Sequence, residues 1–175
     1  MVQALRYVMA QYRHYIKDPL DGFFCSPCED PFKWEFTLIG IHNTPFEGNL
    51  IYGYILFPHS FPNDPPSIHF TSKMYHPNIG TDGKLCMSTL HDQRTDNFYD
   101  KADEKWNPAN TIQSIVLSMM LIIQDPNLES PANIDAAKDL RENKVGYLRK
   151  VRNYLKWKKL IYIFIIITSL QFIYI

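Results

Sequence analysis

Residues 74–88 read Met74-Tyr75-His76-Pro77-Asn78-Ile79-Gly80-Thr81-Asp82-Gly83-Lys84-Leu85-Cys86-Met87-Ser88. They fall in a stretch, 72–110, that sustains neither the two-residue period of a strand nor a helical repeat. Irregular chain of that length inside a compact domain is usually functional or misassigned. Upstream, Trp34, Phe36 and Leu38 alternate with Lys33, Glu35 and Thr37, as a half-buried strand requires. Residues 49–57 and 67–71 offer two more strands, and the turns between them point to a short antiparallel meander. Prolines 58, 62, 65 and 66 stiffen the connection between those two strands into an extended loop.

Further upstream, Leu5, Val8, Met9, Tyr12 and Ile16 stand at helical spacing and the pattern stops at Asp18-Pro19, giving an amphipathic opening helix. Downstream, Ile112, Ile115, Val116, Met119, Met120 and Ile123 make a helix apolar enough to be central. Asn107 is its expected N-cap, Pro108 its first helical position and Asp125-Pro126 its stop. A last helical stretch begins near Ile134 and carries Leu140, Val145, Leu148, Val151 and Leu155 among many charges.

Composition sets the class. A chain of 175 residues, 46% apolar and 14% aromatic, buries enough surface for one folded domain and is not a disordered polymer. Eighteen basic residues balance eighteen acidic ones, which argues against recruitment by nucleic-acid phosphate. Three cysteines cannot pair off into a secreted framework, and the N-terminus lacks an apolar signal core. A reducing, cytoplasmic setting with an available thiol is therefore expected. Cys25 and Cys28 form C-x-x-C, but no second pair completes the four ligands of a structural zinc site.

The segment HPNIGTDGKLC resembles the signature of ubiquitin-conjugating enzymes, in which His-Pro-Asn precedes the thioester-forming cysteine by a short Gly-containing turn. The opening helix, the Pro-rich loop, Trp106-Asn107-Pro108-Ala109 and Asp125-Pro126-Asn127 extend the resemblance over roughly residues 4–157. It implies an α+β fold: an opening helix, a four-stranded antiparallel meander, the catalytic loop, a central helix and C-terminal helices. It also implies a catalytic domain over 1–159, with ubiquitin, its activating enzyme, a RING-type ligase and protein substrates as partners. No metal or organic cofactor is implied.

In this resemblance Cys86 is the nucleophile, and the chemistry fits. Moving the C-terminal carboxyl of a small modifier needs a bond that survives water yet yields to amines, and a thioester is one. No general base lies beside Cys86 in sequence, which suits a reaction that starts from an already activated thioester. Asn78 resembles the residue whose side-chain amide stabilises the oxyanion, with holding the loop by hydrogen bonds to backbone as the other reading. His76 and Pro77 are expected to be structural: the imidazole resembles a buried ring bonded to loop backbone, not half of a thiol-protease dyad.

The 20 positions from Cys86 to Trp106 exceed those of the shortest family members and resemble the acidic-loop class, which includes enzymes of endoplasmic-reticulum-associated degradation. Residues 91–105 hold five acids against three bases, so their net charge is only −2. By this resemblance His91, Asp92 and Asp96 position the acceptor lysine, a solvated insertion being the alternative. Ser130 takes the gate position that is serine in long-loop relatives. Arg6, Asn63, Pro108 and Ala109 fall where the family meets activating enzyme and ligase, although many relatives carry a large apolar side chain at the position of Asn63. A noncatalytic ubiquitin-binding variant of the same fold is the competing class.

Residues 160–175 contain no charge and follow Lys156, Lys158 and Lys159. As a helix they would span about 24 Å against a hydrocarbon core of about 30 Å, short for a clean crossing. Three readings stay open: a tail anchor holding the domain on the cytosolic face of the endoplasmic reticulum, an element packed on the domain, and translated AT-rich noncoding sequence.

Overall fold

The structure, a computed structural model, describes residues 2–92 and 105–155. Helix α1 (Val2–Lys17) is followed by strands β1 (Phe23–Pro27), β2 (Lys33–Ile39), β3 (Leu50–Leu56) and β4 (Ser67–Phe70), then helices α2 (Ile112–Gln124), α3 (Ile134–Glu142) and α4 (Lys144–Leu155). The strands form one antiparallel sheet in the order β1-β2-β3-β4. This is the expected α+β meander.

The alternation in β2 holds: Trp34, Phe36 and Leu38 are buried, and Ile51, Ile55, Ile68 and Phe70 join them on the inner face. Each such side chain contributes about 1.5–3 kcal/mol when fully removed from water. Helix α1 lies against this face through Ala4, Val8 and Tyr15, with Tyr12 set edge-on to Trp34 at 5.3 Å between ring centroids. Ile16, expected on the same face, is 55% exposed and Tyr15 takes its place, donating its hydroxyl to the carbonyl of Phe23 at 2.8 Å.

Strand β1 holds the first half of the C-x-x-C pair. Cys25 pairs with Phe36 in the ladder and packs on the core. Burial pushes its thiol up to about 12, with the Tyr15 hydroxyl opposing, so this sulfur stays protonated. None of the three cysteines is in a disulfide.

Helix α2 starts later than expected. Asn107 and Pro108 make a turn: Asn107 Oδ1 accepts from Ala109 N–H at 2.9 Å and its carbonyl from Asn110 N–H at 2.8 Å. The N-cap is Thr111, in a reciprocal capping box with Ser114. Gln11 on α1 then accepts from Ile112 N–H at 3.0 Å, tying the two helices together. The C-terminal stretch breaks at Asn143, whose side chain accepts from Gly146 N–H at 2.9 Å and opens α4. Lys150 and the Tyr75 hydroxyl both donate to Asp139 Oδ2, at 2.5 Å each, and so clip α3 and α4 to the loop that follows β4. No helix among the described residues is long and apolar enough to cross a membrane. Residues 160–175 and Asp96 lie outside the described residues.

Candidate active site

The loop leaves β4 anchored on β3: the Ser72 hydroxyl accepts from Tyr52 N–H at 2.9 Å, and Ser72 N–H donates to the Tyr52 carbonyl at 3.1 Å. Met74 through Ile79 are then buried without a break. Polar groups in such a run need partners, and both the loop itself and the start of α3 supply them. His76 Nδ1 accepts from Asn78 N–H at 3.1 Å, and the Pro77 carbonyl accepts from Asn133 N–H at 2.8 Å.

His76 is fully buried, and burial drives its imidazole down from 6.5 to about 4, opposed by the nearby backbone of Ile123 and Ile122. The ring is therefore neutral, with Nδ1 as acceptor and the proton on Nε2. Its neutrality links stability to pH. The unfolded imidazole takes a proton first as pH falls, so the ring's contribution is intact above about 6.5 and is lost progressively down to about 4, by up to about 3 kcal/mol. Urea unfolding at pH 7 and at pH 4.5 is expected to show this loss, and His76→Asn to flatten it.

Asn78 is buried and makes a two-way grip: its Nδ2 donates to the Asn127 carbonyl at 2.8 Å and its Oδ1 accepts from Asn127 N–H at 2.9 Å. The loop-holding role is thus present. One of the two amide hydrogens is committed to Asn127, and the other is not used in this grip.

After Asn78 the chain reverses. Gly80 N–H donates to the Lys84 carbonyl at 2.9 Å and Gly83 N–H to the Gly80 carbonyl at 2.9 Å. Gly83 has φ +87°, and a Cβ there would collide with the carbonyl oxygen of Phe70. The returning segment joins the edge of β4 through Leu85 N–H to the Ile68 carbonyl, and Cys86 N–H donates to the Asn78 carbonyl at 2.9 Å. Backbone thus fixes Cys86 beside Asn78. A single 3₁₀ turn, Ser88–Leu90, swings the chain back so that His91 Nε2 stands 3.4 Å from Cys86 Sγ. The imidazole near the sulfur is therefore His91; His76 is spent on the loop.

Cys86 is half-buried in a groove of about 510 Å³ whose walls include Pro65, Leu90, His91 and Ala132. The neck of the 91–105 insertion is closed by Trp106 N–H to the His91 carbonyl at 3.0 Å. Trp106 is itself buried and donates its indole N–H to the Pro62 carbonyl at 2.9 Å.

A family sequence model described as ubiquitin-conjugating enzyme matches residues 7–155. The chain belongs to the ubiquitin-conjugating enzyme family. It is 40% identical over 152 residues to ubiquitin-conjugating enzyme E2 13 of Arabidopsis thaliana, covering 85% of this chain and 92% of that one. Ubiquitin-conjugating enzyme E2-18 kDa of Schizosaccharomyces pombe is 39% identical over the same shares. Ubiquitin-conjugating enzyme E2 7 of Triticum aestivum is 44% identical over 137 residues, 77% of this chain and 81% of that one. This ubiquitin-conjugating enzyme is accordingly a transferase, and its family implies ubiquitin, an activating enzyme and a ubiquitin ligase as partners.

The remaining candidate residues fall in two groups. Asp92 is half-buried directly after His91, and Ser130 is half-buried on the loop that also carries Asn127. Arg6, Asn63, Pro108 and Ala109 are all exposed. Their elements meet: Gln3 and Tyr7 of α1 share a hollow with Asn63, and the bond from Trp106 to Pro62 holds the 106–109 turn against the Pro-rich loop. The sequence marks Asn127 only as part of Asp125-Pro126-Asn127; its hold on Asn78 is made through backbone, which leaves no side-chain signal.

Proposed function

We propose that this enzyme accepts ubiquitin as a thioester on Cys86 and passes it to a lysine amine with the help of a RING-type ligase. The supporting observation is the half-buried Cys86 sulfur in an open groove, 3.4 Å from an imidazole. In the first step Cys86 displaces the activating enzyme's thiolate. In the second, the amine attacks the carbonyl, Asn78 donates to the oxyanion, and the sulfur leaves. His91 and Asp92 flank the approach of the amine, and Asp96 of the same insertion is assigned to holding it as an ammonium before deprotonation. Ser130 gates that approach. Arg6, Asn63, Pro108 and Ala109 form the contact with activating enzyme and ligase; with a polar Asn63 in place of a large apolar group, ligases that need an aromatic anchor there are disfavoured.

The length of the insertion and Ser130 together support the finer reading that the enzyme serves protein quality control and proteasomal degradation. Residues 1–159 would then be the catalytic domain and 160–175 a tail that holds it at the cytosolic face of the endoplasmic reticulum. Both parts are tested in one reaction with activating enzyme, ATP, ubiquitin and endoplasmic-reticulum vesicles. The expected result is a reductant-labile adduct that pellets with the vesicles. An adduct that stays in the supernatant overturns the membrane placement alone; no labile adduct overturns the thioester reading.

A further inference from the structure

The segment from Tyr75 to Asn78 is held by chain that follows α2. Asn78 exchanges hydrogen bonds with Asn127, and the Pro77 carbonyl accepts from the N–H of Asn133, the N-cap of α3. Tyr75 is held differently, by charged side chains. Its hydroxyl donates to Asp139 Oδ2 at 2.5 Å, Lys150 Nζ donates to the same oxygen at 2.5 Å, and Lys150 Nζ stands 3.3 Å from the Tyr75 hydroxyl oxygen. The ammonium also lies over the Tyr75 ring, 5.2 Å from its centroid. Tyr147 and Tyr154 of α4 pack on that ring, at 5.7 and 5.5 Å between centroids.

Hydrogen bonds from Lys150 and then from Tyr75 hold the Asp139 carboxyl below its ordinary value, and the bond to Asp139 holds the Lys150 ammonium above its own. Both charges are therefore present at neutral pH. Neither residue lines the groove of Cys86, so they reach the reaction through Tyr75. Between Tyr75 and Asn78 the chain has little freedom. Pro77 fixes its own φ, Asn78 N–H is bound to His76 Nδ1, and Ile79 N–H is bound to the His76 carbonyl. A rotation at Tyr75 is passed on to Asn78 instead of being absorbed on the way.

We propose that Asp139, set in place by Lys150, is a positioning residue for discharge: by holding Tyr75 it keeps the Asn78 amide aimed at the carbonyl oxygen of the thioester on Cys86. The inference rests on the readings of Cys86 as the acylated residue and Asn78 as the oxyanion donor. Attack by the amine builds negative charge on that oxygen, and a donor meets the charge well only if it is placed to within about 0.5 Å. Backbone bonding of Cys86 to the Asn78 carbonyl fixes the sulfur, but it does not aim the amide. Lys150 and both tyrosines packed on Tyr75 come from α4, so this helix bears on a reaction that it does not touch.

Two substitutions test it in the full-length protein. Tyr75→Phe keeps the ring and its tyrosine neighbours and loses only the hydroxyl; Lys150→Met keeps an unbranched stem and loses the ammonium. The ubiquitin thioester of each is purified, and single-turnover discharge is followed over a range of free lysine at a temperature where every variant is folded. The saturating rate is expected to fall about tenfold, as a small misplacement implies, while the lysine concentration giving half that rate is unchanged. The deciding measurement repeats both substitutions in Asn78→Ala. There the clip has no amide left to aim, and neither substitution is expected to slow discharge further by more than about twofold. The same loss in both backgrounds would mean that the clip only stabilises the loop, and it overturns the proposal. So does an unchanged saturating rate for either variant in the parental chain, or a loss confined to the half-saturating lysine concentration. Asn78→Ala discharging at the parental rate removes the oxyanion reading together with this one, and failure to form a labile adduct removes the thioester reading as well.

Discussion

Cys86→Ser is expected to turn the reductant-labile ubiquitin adduct into an ester that survives reductant, and Cys86→Ala to abolish the adduct. The effect is chemical and not conformational. The bonds that place residue 86 are backbone ones, to the Asn78 carbonyl and through Leu85 to Ile68, and a side-chain change leaves them in place. The side chain is only half-buried, so both variants should unfold within about 1 kcal/mol of the parent. What changes is the atom. A thiolate is a strong nucleophile at neutral pH and a good leaving group from an acyl carbon, whereas serine stays an un-ionised, weakly nucleophilic hydroxyl there and its alkoxide is a poor leaving group. The serine variant therefore charges slowly, and it discharges to lysine below detection. Gel mobility of the adduct with and without reductant, beside urea unfolding of each variant, checks both halves. A Cys86→Ala protein that still forms a labile adduct would move the nucleophile to Cys25 or Cys28, against the burial that keeps the Cys25 thiol protonated.

The parts of this molecule that sequence makes legible are those whose cause is local. Alternation in Lys33–Ile39 fixes which face of β2 is buried because neighbouring side chains must point oppositely. The stop at Asp18-Pro19 and the end of α2 at Gln124 follow from proline's effect on the residue before it. Strand β1 stayed hidden because five residues ending in Pro27 give too few alternations, and as an edge strand it is defined by pairing with β2. Asn107 misled because an Asx turn and an N-cap use the same side-chain acceptor; only the chain beyond it distinguishes them. At the site, His76, Asn78 and Cys86 are legible together, being linked by a loop that closes on itself within eleven residues, through Asn78 N–H to His76 Nδ1 and Cys86 N–H to the Asn78 carbonyl. The approach of His91 to the sulfur was not, since it depends on the 3₁₀ turn after Met87. Nor was the grip on Asn127, 49 positions away and made to backbone.

That grip sets the second large effect. Asn78→Ala removes both the observed grip on Asn127 and the proposed oxyanion donor. Losing its oxyanion donor is expected to slow discharge to free lysine by about 10²–10³-fold, while charging, an exchange between two sulfurs of similar leaving ability, still runs to its plateau. Losing the paired bonds at 2.8 and 2.9 Å, each worth about 0.5–1.5 kcal/mol net, should cost about 1–3 kcal/mol in urea unfolding. The two losses can be told apart with Asn78→Asp. A carboxylate keeps an acceptor for Asn127 N–H but has no hydrogen to give to an oxyanion, and it adds negative charge where negative charge develops. If donation is the larger use, Asn78→Asp discharges at least as slowly as Asn78→Ala while recovering part of the lost stability. If the grip is the only use, discharge rates across the three proteins follow their stabilities, and the aspartate variant falls between the other two. Single-turnover discharge, started from purified thioester at a temperature where all three are folded, decides between these orders. The ranking of the aspartate variant carries the information, because it is the one substitution for which the two uses of Asn78 predict opposite directions.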